Sequence, residues 1–238
     1  ILTDRDYQLT SCCCPMWIAM LRRVYKELMP HVPAAVSPMI ACGRVIKRLE
    51  PGAKVVFIGP CLAKKAEARE PDIADAVDYV LTFQEVRDIF AFADIHPEKM
   101  AEDNREHSSM GGRIYARAGG VSQAVQDCVQ RLNPNRKIKV HAVQASGVPA
   151  CKQLLNDLKE GKLDANFLEG MGCVGGCVGG PRALIDKEFA REEVDRYGKE
   201  ALAPTPIDNL YVIDLLDRLG FPTVESLLEN DDLFTRKF

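Results

Sequence analysis

The sequence predicts an α/β chain, with parallel sheet flanked by helices and gathered in two lobes. Two observations carry this. Short apolar runs of strand length recur along the chain, and most are followed within a few residues by a segment of helical apolar spacing, the alternation expected of parallel sheets covered on both faces. In chain order, Pro15 to Met29 places Trp17, Ile18, Leu21, Tyr25 and Leu28 on one helical face and stops at Pro30. Pro38 to Leu49 is a second helix with proline in its first turn, where a missing N–H costs nothing. Lys54 to Ile58 reads as a short buried strand that runs into Gly59-Pro60-Cys61. Asp78 to Thr82 and Lys137 to Val143 read as further strands, with helices following at Gln84 to Phe92 and Pro149 to Lys159. Ala165 to Leu168 closes the series and delivers Cys173. The polar stretch Pro97 to Arg113, which holds His107, is expected to be a mobile loop. Beyond Pro181 the chain is charged and helical to Tyr197; a proline-containing linker then leads to Ile207 to Leu219 and a short terminal helix. The expected lobes are residues 1–50 with 182–238, and residues 51–181.

Composition narrows the setting. With 238 residues, 47% hydrophobic and 27% charged, the chain can bury a sizeable core. A net charge of −3 with interspersed signs argues against a nucleic-acid surface. No apolar run approaches the roughly 20 residues of a bilayer helix, and no basic-flanked signal opens the sequence. Nine cysteines without secretory features point to a reducing, cytoplasmic compartment and to metal or redox chemistry, not a disulfide framework. The chain opens on Ile1, so a segment of a longer protein is expected, with partner elements elsewhere.

Three segments carry the chemistry. In Glu169-Gly170-Met171-Gly172-Cys173-Val174-Gly175-Gly176-Cys177, two thiols share a bed of backbone with few side chains, where glycine lets amides approach a bulky sulfur-rich group. A zinc knuckle favours paired Cys-x-x-Cys units. A Cys-x3-Cys pair with single thiols from distant segments suits an iron-sulfur cube instead; the alternative is a glycine turn with two buried structural thiols. In Ser11-Cys12-Cys13-Cys14-Pro15-Met16-Trp17, neighbouring residues alternate faces, so three adjacent thiols cannot all reach one cluster. Cys14 is favoured as the ligand, because Pro15 opens a helix whose positive end stabilises a thiolate; Cys13 then points elsewhere. In Pro60-Cys61-Leu62-Ala63-Lys64-Lys65-Ala66-Glu67, a helix beginning near Cys61 puts Lys64 one turn on, able to face an anion at the thiol site. Lys64 alone would read as an ordinary solvated lysine.

Together the three segments resemble the [FeFe]-hydrogenase catalytic domain. That family carries Thr-Ser-Cys-Cys-Pro-x-Trp, then Met-Pro-Cys-x-x-Lys-x-x-Glu, then Glu-x-Met-x-Cys-x-x-x-Cys, in the order found here, and the likeness reaches through Ala118-Gly119-Gly120-Val121 to Pro181. The resemblance implies that Cys14, Cys61, Cys173 and Cys177 hold a [4Fe-4S] cube at the interface of the lobes. It further implies that Cys177 bridges to a two-iron subcluster with CO, cyanide and dithiolate ligands, completing the H-cluster. Cys13 falls on the thiol that passes protons, Lys64 on the residue holding a cyanide, and Met171 on the methionine beside the cube. Implied partners are H2 and protons, a ferredoxin or fused iron-sulfur domain as electron partner, and maturation proteins.

Several positions depart from the family pattern. Gly59 stands where a methionine precedes Pro-Cys, Pro33 where a relay serine is expected, and Met39 where a glutamine follows Ser-Pro. The glycine tract after Cys177 is short, and the acidic relay segment that precedes the first motif is absent. Slow, oxygen-sensitive hydrogen turnover is therefore expected, in keeping with a hydrogen-sensing member that signals to a partner domain. The alternative is a non-catalytic [4Fe-4S] assembly or scaffold protein of the hydrogenase-like type. Cys12, Cys42, Cys128 and Cys151 are taken as core or surface thiols.

Overall fold

The structure, a computed structural model, describes residues 7–10, 13–102, 107–223, 226–227, 230 and 232–237. Cys12 lies outside the described residues. Strands β1 (Gln8–Leu9), β4 (Ala142–Ser146) and β5 (Phe167–Met171) form a parallel sheet in the order β1-β5-β4, with Gln8 and Ala142 both in register with Phe167. Strands β2 (Val56–Gly59) and β3 (Tyr79–Thr82) form a second, two-stranded parallel sheet. The helices are α1 (Pro15–Val24), α2 (Pro38–Leu49), α3 (Ala63–Glu67), α4 (Phe83–Phe92), α5 (Met110–Ile114), α6 (Gly120–Leu132), α7 (Val148–Lys159), α8 (Lys187–Lys199) and α9 (Leu210–Arg218). No helix among the described residues is long and apolar enough to cross a membrane.

Each sheet carries its own core. Trp17, Leu21, Leu9, Leu155 and Leu168 are fully buried where α1 and α7 cover the first sheet. Ile40, Ile73 and Ala76 are fully buried beneath the second, with Val55 and Val77 beside them. The chain crosses the expected lobe boundaries: β1 and α1 pack with β4, β5 and α7, whereas α2 packs with the segment from Val55 to Val77.

The structure corrects several expectations. The first helix stops at Val24, because Tyr25 leaves helical backbone to bury its ring and reach Asn156 Oδ1 on α7 at 3.1 Å; a 3-10 turn, Lys26–His31, then keeps Leu28 in the core. The strand read at Lys137 to Val143 is Ala142–Ser146, fixed by pairing with β5, and β5 itself runs on to Met171. Gly170 permits that extension: a Cβ there would lie 2.0 Å from the Trp17 ring. The β2 strand is not buried on both faces. Val56 and Ile58 are nearly half exposed, while Phe57 turns to the core. Within the expected mobile loop, α5 forms behind a Ser109 cap whose Oγ accepts from the Gly112 N–H.

Two carboxylates tie the second sheet together. Asp78 accepts from the Val55 N–H at 2.8 Å, and Lys47 and Lys54 sit within 3.1 and 3.3 Å. Glu85 closes a capping box with Thr82 at the start of α4 and accepts from Lys65. The Val55 amide foremost, then Lys47, lowers the Asp78 carboxyl from 3.8 to about 2; Lys65, then the Thr82 amide, lowers that of Glu85 from 4.5 to about 2. A depressed carboxyl stabilises the fold above its ordinary value and loses that contribution as pH falls towards its folded value. The melting temperature is therefore expected to fall between pH 4.5 and 2, with a shallower fall in Asp78→Asn. An identical pH profile in Asp78→Asn would contradict this.

Candidate metal centre

Three loops carry the four cysteines, after β1, after β2 and after β5. Cys14 sits in extended backbone (φ −111°, ψ 109°) at the N-cap of α1, ahead of Pro15, and its Sγ accepts from the Gly172 N–H at 3.3 Å. Extended backbone sends successive side chains to opposite sides. Cys13 accordingly packs into a small apolar cluster with Val121 and Met171, whereas Cys14 stands against the Trp17 core. Cys61 follows β2 through Pro60, at the carboxyl end of a parallel strand where ligands commonly bind. Cys173 follows β5, and Cys177 opens a 3-10 turn, Cys177–Gly179.

The turn between the last two thiols needs its glycines. Gly176 adopts φ 87°, ψ −153°, a region closed to residues with a Cβ, and a Cβ there would meet the Ala118 N at 2.5 Å and the Met171 Sδ at 2.7 Å. The turn is pinned to the segment before α6 by Ala118 N–H to Gly175 O at 2.9 Å and Val178 N–H to Ala116 O at 3.3 Å.

Electrostatics links the group. Burial pushes the Cys177 thiol up to about 12, with Cys14, Cys61 and Cys173 raising it further and Lys64 opposing. Burial, then Cys14 and Cys61, raises Cys173. Burial foremost, then Cys14, raises Cys13, again opposed by Lys64. Lys64 is no solvated lysine: it is 6% exposed and gives Nζ–H to Glu67 Oε2 at 2.6 Å, with Glu67 itself 2% exposed. A buried cation paired this way sits where an anionic ligand would be stabilised.

Among the described residues no three His, Cys, Asp or Glu side chains converge tightly enough to clasp one metal ion. A cube takes one thiolate on each of four irons and so spreads its ligands outward. The all-sulfur donor set, its spread over three loops, and the amide bordering it (Gly172 N–H on Cys14) fit that larger group. The structure thus brings together Cys13, Cys14, Cys61, Lys64, Met171, Cys173 and Cys177. Cys151, fully buried, gives S–H to Ala145 O and Met171 O and acts as a core thiol. Cys42 is exposed on α2 and Cys128 half-buried on α6.

Glu169 has a role that the sequence reading missed. At 1% exposure its carboxylate accepts from Gly119 N–H (2.8 Å), Ser122 N–H (2.7 Å) and Ser122 Oγ (2.7 Å), anchoring the start of α6 and thereby Val121 against Cys13. Its place at the head of the Cys173 motif was the available signal. Glu169→Ala leaves two buried amides unpartnered, and a loss of roughly 3 kcal/mol is expected from charge-assisted bonds of this kind. Urea unfolding measures it; a loss under about 1 kcal/mol would refute the anchoring role.

The fold is parallel α/β, with four cysteines on the loops that follow β1, β2 and β5. Residues 2–181 match the family described as "Iron only hydrogenase large subunit, C-terminal domain", and the chain belongs to that family. It is 29% identical over 213 residues to the periplasmic [Fe] hydrogenase large subunit of Nitratidesulfovibrio vulgaris, covering 73% of this chain and 50% of that protein. It is also 24% identical to the zebrafish (Danio rerio) cytosolic Fe-S cluster assembly factor narfl, covering 92% of this chain and 67% of the relative. An [FeFe]-hydrogenase structure from Chlamydomonas reinhardtii superposes with a TM-score of 0.73 at 20% identity, covering 98% of this chain and 76% of that one, which establishes the shared fold. The chain spans half the length of the Nitratidesulfovibrio relative.

Proposed function

We propose that Cys14, Cys61, Cys173 and Cys177 hold a [4Fe-4S] cube, that Cys177 also bridges to a two-iron subcluster, and that the protein interconverts H2 with protons and electrons, slowly and in a hydrogen-sensing role. The observation that carries this reading is the buried Lys64 ammonium, held by Glu67, whose charge opposes the rise of the Cys13 and Cys177 thiols. A plain cube needs neither a buried cation nor a separate buried thiol. When bound, the H-cluster supplies the iron chemistry that cleaves and forms H2 and stores an electron.

The chain's residues supply the rest. Cys13 Sγ, turned away from Cys14, holds a proton in transit. Lys64, fixed by Glu67, offers its ammonium to anionic ligands, and Met171 packs against Cys13. Gly59 stands at the end of β2 in place of the family's methionine, with the Phe57 ring 2.9 Å from where its Cβ would lie, and Pro33 has no hydroxyl to relay a proton. Both support turnover well below that of fast hydrogenases, to be measured on the cluster-loaded protein under saturating electron supply; a rate equal to theirs would defeat the sensory role. Electrons pass to a ferredoxin or an attached iron-sulfur domain, cluster insertion falls to maturation proteins, and a signalling domain reads the cluster state.

The likeness to an iron-sulfur assembly factor supports a second reading, in which the same thiols hold a plain cube without hydrogen chemistry. Iron analysis with infrared spectroscopy separates the two, since CO and cyanide bands belong only to the first.

A further inference from the structure

The turn from Cys173 to Cys177 cannot hold its own shape. Gly175 and Gly176 both adopt positive φ, at 84° and 87°, and glycine backbone is the freest in the chain, so the spacing of the two thiols must be imposed from outside. One support is Ser146 at the end of β4, whose Oγ accepts from the Gly175 N–H at 3.2 Å. The other is the segment between α5 and α6. There Arg117 and Gly176 form an antiparallel bridge, Ala118 N–H gives to Gly175 O at 2.9 Å, and Val178 N–H gives to Ala116 O at 3.3 Å. Glu169 fixes the α6 end of that segment through the Gly119 N–H. Its middle is fixed by a side chain: Arg117 Nε–H gives to Asp195 Oδ1 on α8, and its Nη1 turns back to Ala118 O at 3.2 Å. The pair joins positions 78 residues apart, with side chains 17% and 33% exposed, and partly buried charges are screened less than surface ones. Helix α8 is seated on α5 by Arg113, which gives to Tyr197 O at 2.9 Å and stacks 3.9 Å over the Tyr197 ring. It lies beyond residues 2–181, the part that matches the family.

We propose that Arg117 and Asp195 are positioning residues for the metal centre, a strut from α8 that holds the Cys173–Cys177 turn in place. They act through backbone: Asp195 holds Arg117, Arg117 holds the segment from Ala116 to Ala118, and that segment holds the turn by its two hydrogen bonds. The role in the metal centre rests on the assignment of Cys173 and Cys177 as ligands; the strut itself does not.

Two experiments test the two parts. Amide hydrogen exchange on the cluster-free protein tests the strut. In Asp195→Ala the Ala118 and Val178 amides are expected to exchange about tenfold or more faster than in the parent, the scale of one charge-assisted bond. In Glu193→Ala, which removes an exposed partner of Arg196 on the same helix, they should keep the parent rate. Unchanged exchange in Asp195→Ala, or an equal rise in Glu193→Ala, overturns the strut. In the protein reconstituted with iron and sulfide, Asp195→Ala and Arg117→Ala are each expected to lose iron to a chelator about tenfold faster, the scale on which outer partners act on a metal site. The double variant should lose it no faster than either, because the two residues act as one unit, and Arg117→Lys, which keeps the ion pair, should lie close to the parent. The paramagnetic spectrum of the reduced cube should change in both alanine variants. Iron retention and a spectrum equal to the parent's in both overturn the positioning role, even where exchange has risen. Failure of the ligand assignment shows differently, as a full cube in Cys173→Ala, and would overturn the role in the metal centre while the exchange result stands.

Discussion

In Cys173→Ala the iron content is expected to collapse from about four per chain, and the cube's absorption and paramagnetic signals with it, because a cube takes one thiolate for each iron. Cys173 leaves β5 at its carboxyl end and is half-buried among Cys14, Cys61 and Cys177. Among the described residues, Cys42, Cys128 and Cys151 belong to other surroundings. Cys151 is committed to backbone carbonyls of Ala145 and Met171, and Cys42 is exposed on α2 beside the other core. Cys42→Ser is the matched control and should keep its iron. Anaerobic reconstitution with iron and sulfide, followed by iron analysis, makes the comparison; a full cube in Cys173→Ala would overturn the ligand assignment.

The second large effect belongs to Cys13. Its side chain enters the cluster formed with Val121 and Met171, away from the side on which Cys14 accepts from Gly172. Cys13→Ala is therefore expected to assemble the cluster with unchanged infrared bands, while hydrogen turnover falls by roughly two or more orders of magnitude, as for loss of a general acid-base group. A variant that fails to assemble the cluster would mean that Cys13 is a ligand and Cys14 the proton carrier.

Most of what was legible in the sequence was written locally. Pro38 at the first helical position announced α2, whose span matches the one read from sequence, and the strand and helix read at Asp78 to Thr82 and Gln84 to Phe92 begin within a residue of β3 and α4. What stayed hidden depended on distant partners. Helix α6 begins at Gly119 (φ 78°) with no side chain of its own to cap it; its amides are met by Glu169, 47 and 50 residues away. Strand β1 is only two residues long and exists because Phe167 and Leu168 lie alongside it. Tyr25 ends α1 for a tertiary hydrogen bond that helical spacing cannot foretell.

The site divides in the same way. Cysteine spacing and glycine content marked the three segments, and alternation of neighbouring side chains with the helix opened by Pro15 separated Cys13 from Cys14. The burial of Lys64 ran against the usual habit of lysine and came only with the motif. Glu67 was read merely as continuing the face of Lys64; their pairing is local to α3, but the burial of both comes with α1 packing against α3.

Infrared spectroscopy of the matured, anaerobically purified protein bears on the central claim most directly. Bands from iron-bound CO and cyanide are expected, and they should shift when hydrogen replaces argon. A protein with about four irons per chain, the content of a single cube, and no CO or cyanide bands would contradict the hydrogenase reading and leave a plain iron-sulfur protein of the assembly type.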